Sequence, residues 1–278
     1  MRFEILHLRD TFPVLGEAGR DATLTAYLPD NLSEMNRENE LRPCLLICPG
    51  GGYEFCSQRE SEPIALHFLP EGFNVFILNY STAPHRYPAQ LCEVAASMEL
   101  LYQHADAWHC DTARIAIMGF SAGGHLAAHF SNAYSCTEVR TVFPNSHPVS
   151  AAILCYPVIT ADSAWAHMGS FDALTGKSER TADEIQKFSC DRLVSAKTPP
   201  TFLWHTAVDA TVPVMNSLLY AQALAAHHVS FELHIYPQGS HGLSTCDRQT
   251  LDEVLSEHEY DRTWLACAKH WLHYIFDK

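Results

Sequence analysis

Apolar and polar residues alternate over residues 2–8 and 22–28, the period-two pattern of antiparallel strands with one wet face. After that the pattern changes. Pro43 to Cys48, Phe73 to Tyr80 and Ala151 to Val158 are short apolar runs, the form of strands covered on both faces, and Arg114 to Met118, Thr201 to Thr206 and Phe231 to Tyr236 read as further strands. Helical spacing fills the intervals. Ser61–Leu69 has Pro63 in its first turn and Gly72 beyond its end. Residues 89–107 carry Leu91, Val94, Ala95, Met98, Leu101 and Tyr102 on one amphipathic face. An alanine-rich helix follows residue 121, and Val214–His227 and Tyr260–Phe276 complete the set. Strands alternating with helices predict an α/β fold, with a mostly parallel sheet and helices on both faces. No linker, repeat or change of composition divides the chain, so residues 1–278 read as one domain. The stretch 160–197 is longer than a crossover needs and is the candidate for a small cap or lid.

The chemistry centres on Gly119-Phe120-Ser121-Ala122-Gly123, between the isoleucine-rich strand and the alanine-rich helix. This is the G-x-S-x-G elbow, which lifts a serine above the sheet on a strained turn. A serine hydroxyl needs a base, and the base needs a carboxylate to orient it. Downstream, Asp209 and His241 each sit just past a strand, at the carboxyl edge where open α/β sheets place their sites. Glycines flank the His241 loop. Asp162, also just past a strand, is the reserve acid. The amides of Gly51 and Gly52, in the Gly50–Gly52 run after the third strand, are candidate oxyanion donors together with the amide of Ala122. A phosphate-cradling reading of the glycines fails for want of the P-loop lysine.

Composition narrows the partners. A net charge of −14 disfavours nucleic acid and anionic membranes. No apolar run is long enough for a membrane span, and the first residues lack the apolar core of a signal peptide, so a cytoplasmic protein is expected. The ten cysteines form no C-x-x-C pair and read as free thiols. His125 and His129 lie one helical turn apart, but no third ligand stands near them, so no metal or other cofactor is expected.

Taken together, Pro49–Tyr53, Asn79–Pro84, Gly119–Ala127, His205–Pro213 and Gly239–Gly242 resemble the α/β-hydrolase superfamily. Within it the chain is similar to small bacterial esterases related to hormone-sensitive lipase and to acetyl-xylan esterases. The resemblance implies an eight-stranded core, a Ser121–Asp209–His241 triad, and hydrolysis of short acyl esters, often acetyl groups on sugars. Pro49 stands where the lipase-like family has histidine, as in the carbohydrate acetyl-esterase branch. Tyr53, Phe55, Tyr87, Trp165 and Phe171 are candidates to line the substrate pocket. The expected partner is a small-molecule ester, and homo-oligomerisation is left open. Two other readings stand: a peptidase or amidase of the prolyl-oligopeptidase type, because of the Asp209 loop, and a non-catalytic binding protein of the same fold.

Overall fold

In the computed structural model, residues 1–251 and 257–277 are described. Eight strands form one sheet: β1 (Arg2–His7), β2 (Thr23–Leu28), β3 (Arg42–Cys48), β4 (Asn74–Asn79), β5 (Cys110–Phe120), β6 (Ala151–Cys155), β7 (Thr201–Thr206) and β8 (Phe231–Tyr236). Their spatial order is β1-β2-β4-β3-β5-β6-β7-β8. The alternating segments β1 and β2 pair antiparallel with each other, and β2 pairs antiparallel with β4. Every other pairing is parallel.

The continuous apolar strands are explained by two cores, one on each face. In β3, Leu46 and Cys48 enter one core while Leu45 and Ile47 enter the other, and β5 and β6 divide their residues likewise. Helices Ala89–Gln103, Ser121–Ala133 and Met215–Ala226 cover the first face. Helices Glu62–Phe68 and Thr263–Phe276 cover the second, with Trp264 and Trp271 buried beneath. No helix among the described residues is long and apolar enough to cross a membrane.

Several elements differ from the sequence expectation. The helix read as 89–107 ends at Gln103, and a separate turn of helix spans Ala105–Trp108. It is also buried nearly all round rather than amphipathic, and even Gln90, Glu93 and Ser97 are inside. The N-terminal turns around Leu8–Leu15 and the helix Thr137–Val142 pack over its outer side. Burial pushes the Glu93 carboxyl up to about 7, although the Ser81 hydroxyl and amide both donate to it. All ten cysteines are free.

The 160–197 stretch folds into helices Met168–Thr175 and Ala182–Phe188, the second closed by a capping box between Thr181 and Glu184. It is tied down from below through His125 of the elbow helix. Tyr53 donates its hydroxyl to His125 Nδ1 at 2.8 Å, and Nε2 donates to the Phe188 carbonyl at 2.8 Å. His129, one turn on, stacks on Tyr87. Both histidines are buried and neutral. Burial lowers His125 to about 4, against the pull of its bond to Phe188. Burial, then the charges of His125 and Lys187, lowers His129 to about 3.

These shifts set a pH dependence of stability. In the unfolded chain both rings titrate near ~6.5, so below that value the unfolded state binds more protons than the folded one. Stability is fully present above the unfolded value and is lost as pH falls toward the folded values. The slope is at most about 1.4 kcal/mol per pH unit for each ring. Urea unfolding at a series of pH values between 7.5 and 4.5 should show this fall, and His129→Phe should flatten it. An unfolding midpoint that does not move over that interval contradicts the assignment.

Candidate active site

The strand order places the site. The chain leaves β3 for β4 on one side and returns as β5 on the other, so a crevice opens where these strands end. Residue pairs Ile47–Met118 and Cys48–Gly119 keep the ends of β3 and β5 level. The loop that begins at Pro49 therefore emerges beside the elbow.

At the elbow, Ser121 has φ 52°, a left-handed conformation that is strained for a residue with a side chain. The turn is tight enough that backbone from the neighbouring strand fills the space beside it. A Cβ on Gly123 would stand 2.1 Å from the Cys48 carbonyl oxygen and 2.2 Å from that of Pro49. Only glycine fits there. Across the crevice Gly51 has φ 121°, and a Cβ on it would meet the Phe55 carbonyl oxygen at 2.1 Å. The Gly51 carbonyl accepts from the Glu54 and Phe55 amides, whereas among the described residues the Gly51 and Gly52 amides donate to no backbone carbonyl. Ala122 lies in the first turn of the helix Ser121–Ala133, where amides lack an intrahelical acceptor.

Ser121, His241 and Asp209 meet in a line. His241 Nε2 lies 2.8 Å from Ser121 Oγ, and His241 Nδ1 lies 2.6 Å from Asp209 Oδ2. The other carboxylate oxygen, Oδ1, accepts from the amides of Thr211 and Val212, both at 2.9 Å. His205, at the end of β7, approaches Oδ2 at 3.3 Å while its ring is held by Ser217 and the Val212 carbonyl. Burial by itself would raise the Asp209 pKa. The hydrogen bonds from His205 and His241, the charge of His241 and the Val212 amide outweigh it and hold the carboxyl well below the usual range. An ionised Asp209 fixes the proton of His241 on Nδ1 and leaves Nε2 to accept from Ser121. Asp162, the reserve acid, pairs instead with Arg192.

The cleft above these groups has a volume of about 700 Å³, and Gly51, Gly52, Phe55, Ser121 and His241 are among the residues that line it. The other aromatic candidates lie elsewhere. Tyr53 is 1% exposed and is spent on His125. Phe171 is fully buried, edge-on to the His125 ring. Tyr87 stacks on His129 beneath the Lys187 ammonium. Trp165 is on the surface outside the cleft wall. Large rings that the sequence cannot orient go more often to packing.

The wall contains residues that no spacing rule marked: Glu54, Arg59, Glu60, His167 and Thr211. His167 caps the helix Met168–Thr175, its Nδ1 accepting from the Ser170 amide at 3.3 Å. Burial first, and then the charge of His241, keep His167 below its ordinary pKa. With Nδ1 used as that acceptor the ring proton sits on Nε2, and the ring lines the cleft. The placement of 160–197 over the site was the only signal that could have singled it out.

Comparison with known proteins gives the family and the fold. The model of the BD-FAE family matches residues 27–224. The chain belongs to the BD-FAE family. It is 33% identical over 235 residues to endo-1,4-beta-xylanase B of Butyrivibrio fibrisolvens, covering 80% of this chain and 35% of that protein. It is 30% identical over 225 residues to an acetylxylan esterase of Xylanibacter ruminicola, covering 80% of this chain and 43% of that one. The chain thus spans less than half the length of these relatives. Among solved structures, the acetyl ester-xyloside bifunctional hydrolase of Caldicellulosiruptor lactoaceticus matches with a TM-score of 0.84 at 35% identity, over 99% of this chain and 97% of that one. The carboxylesterase Cest-2923 of Lactobacillus plantarum matches with a TM-score of 0.82 at 30% identity, over 98% and 97%. The BD-FAE chain has the α/β-hydrolase fold of these esterases.

The contact at Gly123 generates a test. Gly123→Ala should destabilise the protein by about 3 kcal/mol, the upper end of overpacking costs, because backbone rather than a side-chain tip occupies the space. Thermal unfolding of the purified variant measures it. A melting temperature equal to that of the parent protein contradicts the crowding argument.

Proposed function

We propose that this protein is a serine carboxylesterase that hydrolyses short acyl esters, acetyl groups on sugars or xylan fragments foremost, through an acyl-enzyme. The observation that carries the reading is the continuous line from Ser121 Oγ through His241 to Asp209 Oδ2, at 2.8 and 2.6 Å. Ser121 attacks the ester carbonyl as His241 Nε2 takes its proton. The amides of Ala122, Gly51 and Gly52 receive the charge that develops on the carbonyl oxygen. The imidazolium, held by Asp209, returns the proton to the departing alcohol. Water then repeats the sequence on the acyl-enzyme and frees the acid.

The cleft wall supports the substrate class. Phe55 supplies the one phenyl ring among the residues lining it, while Glu54, Gln58, Arg59, His167 and Thr211 are polar. The apolar surface of the cleft lies beside these polar groups, on a wall shared with Phe55 and the glycines of the loop, which suits a short acyl group. A sugar alcohol would find donors and acceptors, the His167 Nε2–H among them. The resemblance to an acetylxylan esterase and to an acetyl ester-xyloside hydrolase points the same way. The free thiols suit a reducing compartment, which supports a cytoplasmic location.

Ser121→Ala should lose at least about a thousandfold in kcat on p-nitrophenyl acetate, together with labelling by a fluorophosphonate probe. A folded variant that turns over like the parent removes the nucleophile assignment. Across p-nitrophenyl esters, kcat/KM should peak at two to four carbons and drop beyond. Preference for aminoacyl-prolyl amides over acetyl esters would favour the peptidase reading instead.

A further inference from the structure

One buried carboxylate in the cleft wall has no part in the reaction as described. Glu60 is 3% exposed and sits at the end of the 3-10 turn Gln58–Glu60, just beyond the oxyanion loop. Its two oxygens face two different parts of the site. Oε2 accepts the Gly50 amide at 2.8 Å. Oε1 accepts the Tyr156 hydroxyl at 2.7 Å. Tyr156 directly follows β6, and its hydroxyl also accepts the Ser244 amide at 3.1 Å, three residues after His241. Its ring stands edge-to-face against the His241 ring, with centroids 5.0 Å apart.

Two further features show that the arrangement is tight. Tyr156 has φ 36°, which is an outlier for a bulky aromatic residue and persists only where surroundings over-determine it. Gly50 is wedged between the carboxylate and the nucleophile: a Cβ there would stand 2.6 Å from Glu60 Oε2 and 2.9 Å from the Ser121 Cβ. Burial raises the Glu60 pKa, opposed by the Tyr156 and Gly50 hydrogen bonds and by the charges of His241 and Arg59.

We propose that Glu60 and Tyr156 are positioning residues that fix the oxyanion loop and the His241 ring relative to each other, by a single chain of hydrogen bonds from Gly50 through Glu60 and Tyr156 to Ser244. The chain rests on the reading of Ser121, His241 and Asp209 as the catalytic groups. It makes two requirements simultaneous. The Gly51 and Gly52 amides must face the place where the oxyanion forms, and Nε2 of His241 must face Ser121. Both loops leave different strands, β3 and β8, and Glu60 is where their positions are compared. A carboxylate is suited to this because both oxygens accept. Glutamine presents one oxygen and one amide, so either the Gly50 amide or the Tyr156 hydroxyl would face a donor.

The test is a double-mutant cycle of Glu60→Gln and Tyr156→Phe on p-nitrophenyl acetate, with rates per folded site and Ser121→Ala as reference. Each single variant is expected to lower kcat by about 10- to 100-fold, the scale of small misplacements of catalytic groups, while KM changes by no more than about threefold. The double variant should be no slower than the slower single one, because both break the same chain. A merely structural role would show in thermal unfolding and leave kcat per folded site unchanged, which overturns the proposal. Losses that multiply in the double variant also overturn it, as do losses confined to KM. Tyr156→Phe removes one oxygen atom only and keeps the question answerable if Glu60→Gln does not fold. Should Ser121→Ala remain active while these variants fail, the catalytic assignment is at fault rather than the chain of bonds.

Discussion

The constraint on which the site depends is the contact of the elbow with the end of the neighbouring strand. The Cys48 and Pro49 carbonyls press on the Cα of Gly123 so closely that no side chain fits. That contact fixes the height of Ser121 relative to the loop after β3, and so sets where the proposed nucleophile and the loop amides stand relative to each other. Ser121 takes its left-handed backbone at this elbow, and Gly51, crowded by the Phe55 carbonyl, has a positive φ across the crevice. Strain of this kind costs about 1–3 kcal/mol per residue and survives only where the surroundings hold it. Here the surroundings are two apolar cores, one on each face of the sheet.

Three buried carboxylates show how the same desolvation yields different results. Asp209 is surrounded by donors on every side and stays ionised despite its burial. Glu93 accepts from Ser81 and is raised by burial to about 7. Glu60 has an amide and a hydroxyl, with His241 and Arg59 near enough to be felt, and is raised as well. The number and charge of the donors decides the outcome. Asp209, the carboxylate beside His241, has the most of them.

The sequence made the scaffold and the polar line of the site legible because both rest on rules of spacing. Continuous apolar runs meant strands covered twice, and β3, β5, β6 and β7 are buried on both faces. Glycines two residues either side of Ser121, with Asp209 and His241 past later strands, were enough to bring together the three side chains that now lie in hydrogen-bonding reach. What could not be read was set by long-range packing. The helix Ala89–Gln103 looked one-sided because the segments that bury its outer face lie far away in sequence. Tyr53 and Phe171 looked like pocket residues because ring size is visible in a sequence and ring direction is not. Glu60, Tyr156 and His167 follow no motif, and only the folded chain puts them beside His241 or in the cleft.

This division follows the rigidity of the parts. The groups proposed to act on the carbonyl stand on elements held from several directions. Tyr80 donates to the Pro49 carbonyl at 2.6 Å, the Ala83 amide donates to the Tyr53 carbonyl at 2.8 Å, and Tyr53 reaches His125 below. The oxyanion loop is therefore braced by the loop after β4, by the elbow helix and through it by the 160–197 segment. The groups that would meet the alcohol are different. Phe55 is 59% exposed, and Glu54 and Arg59 stand on the outer side of the same loop. A fixed geometry is what a transition state requires, since misplacing it by about 1 Å can cost a hundredfold. Recognition of an alcohol tolerates exchange of side chains on a loop whose backbone is pinned. One braced loop can thus keep the reaction constant on its inner side while its outer side varies the ester.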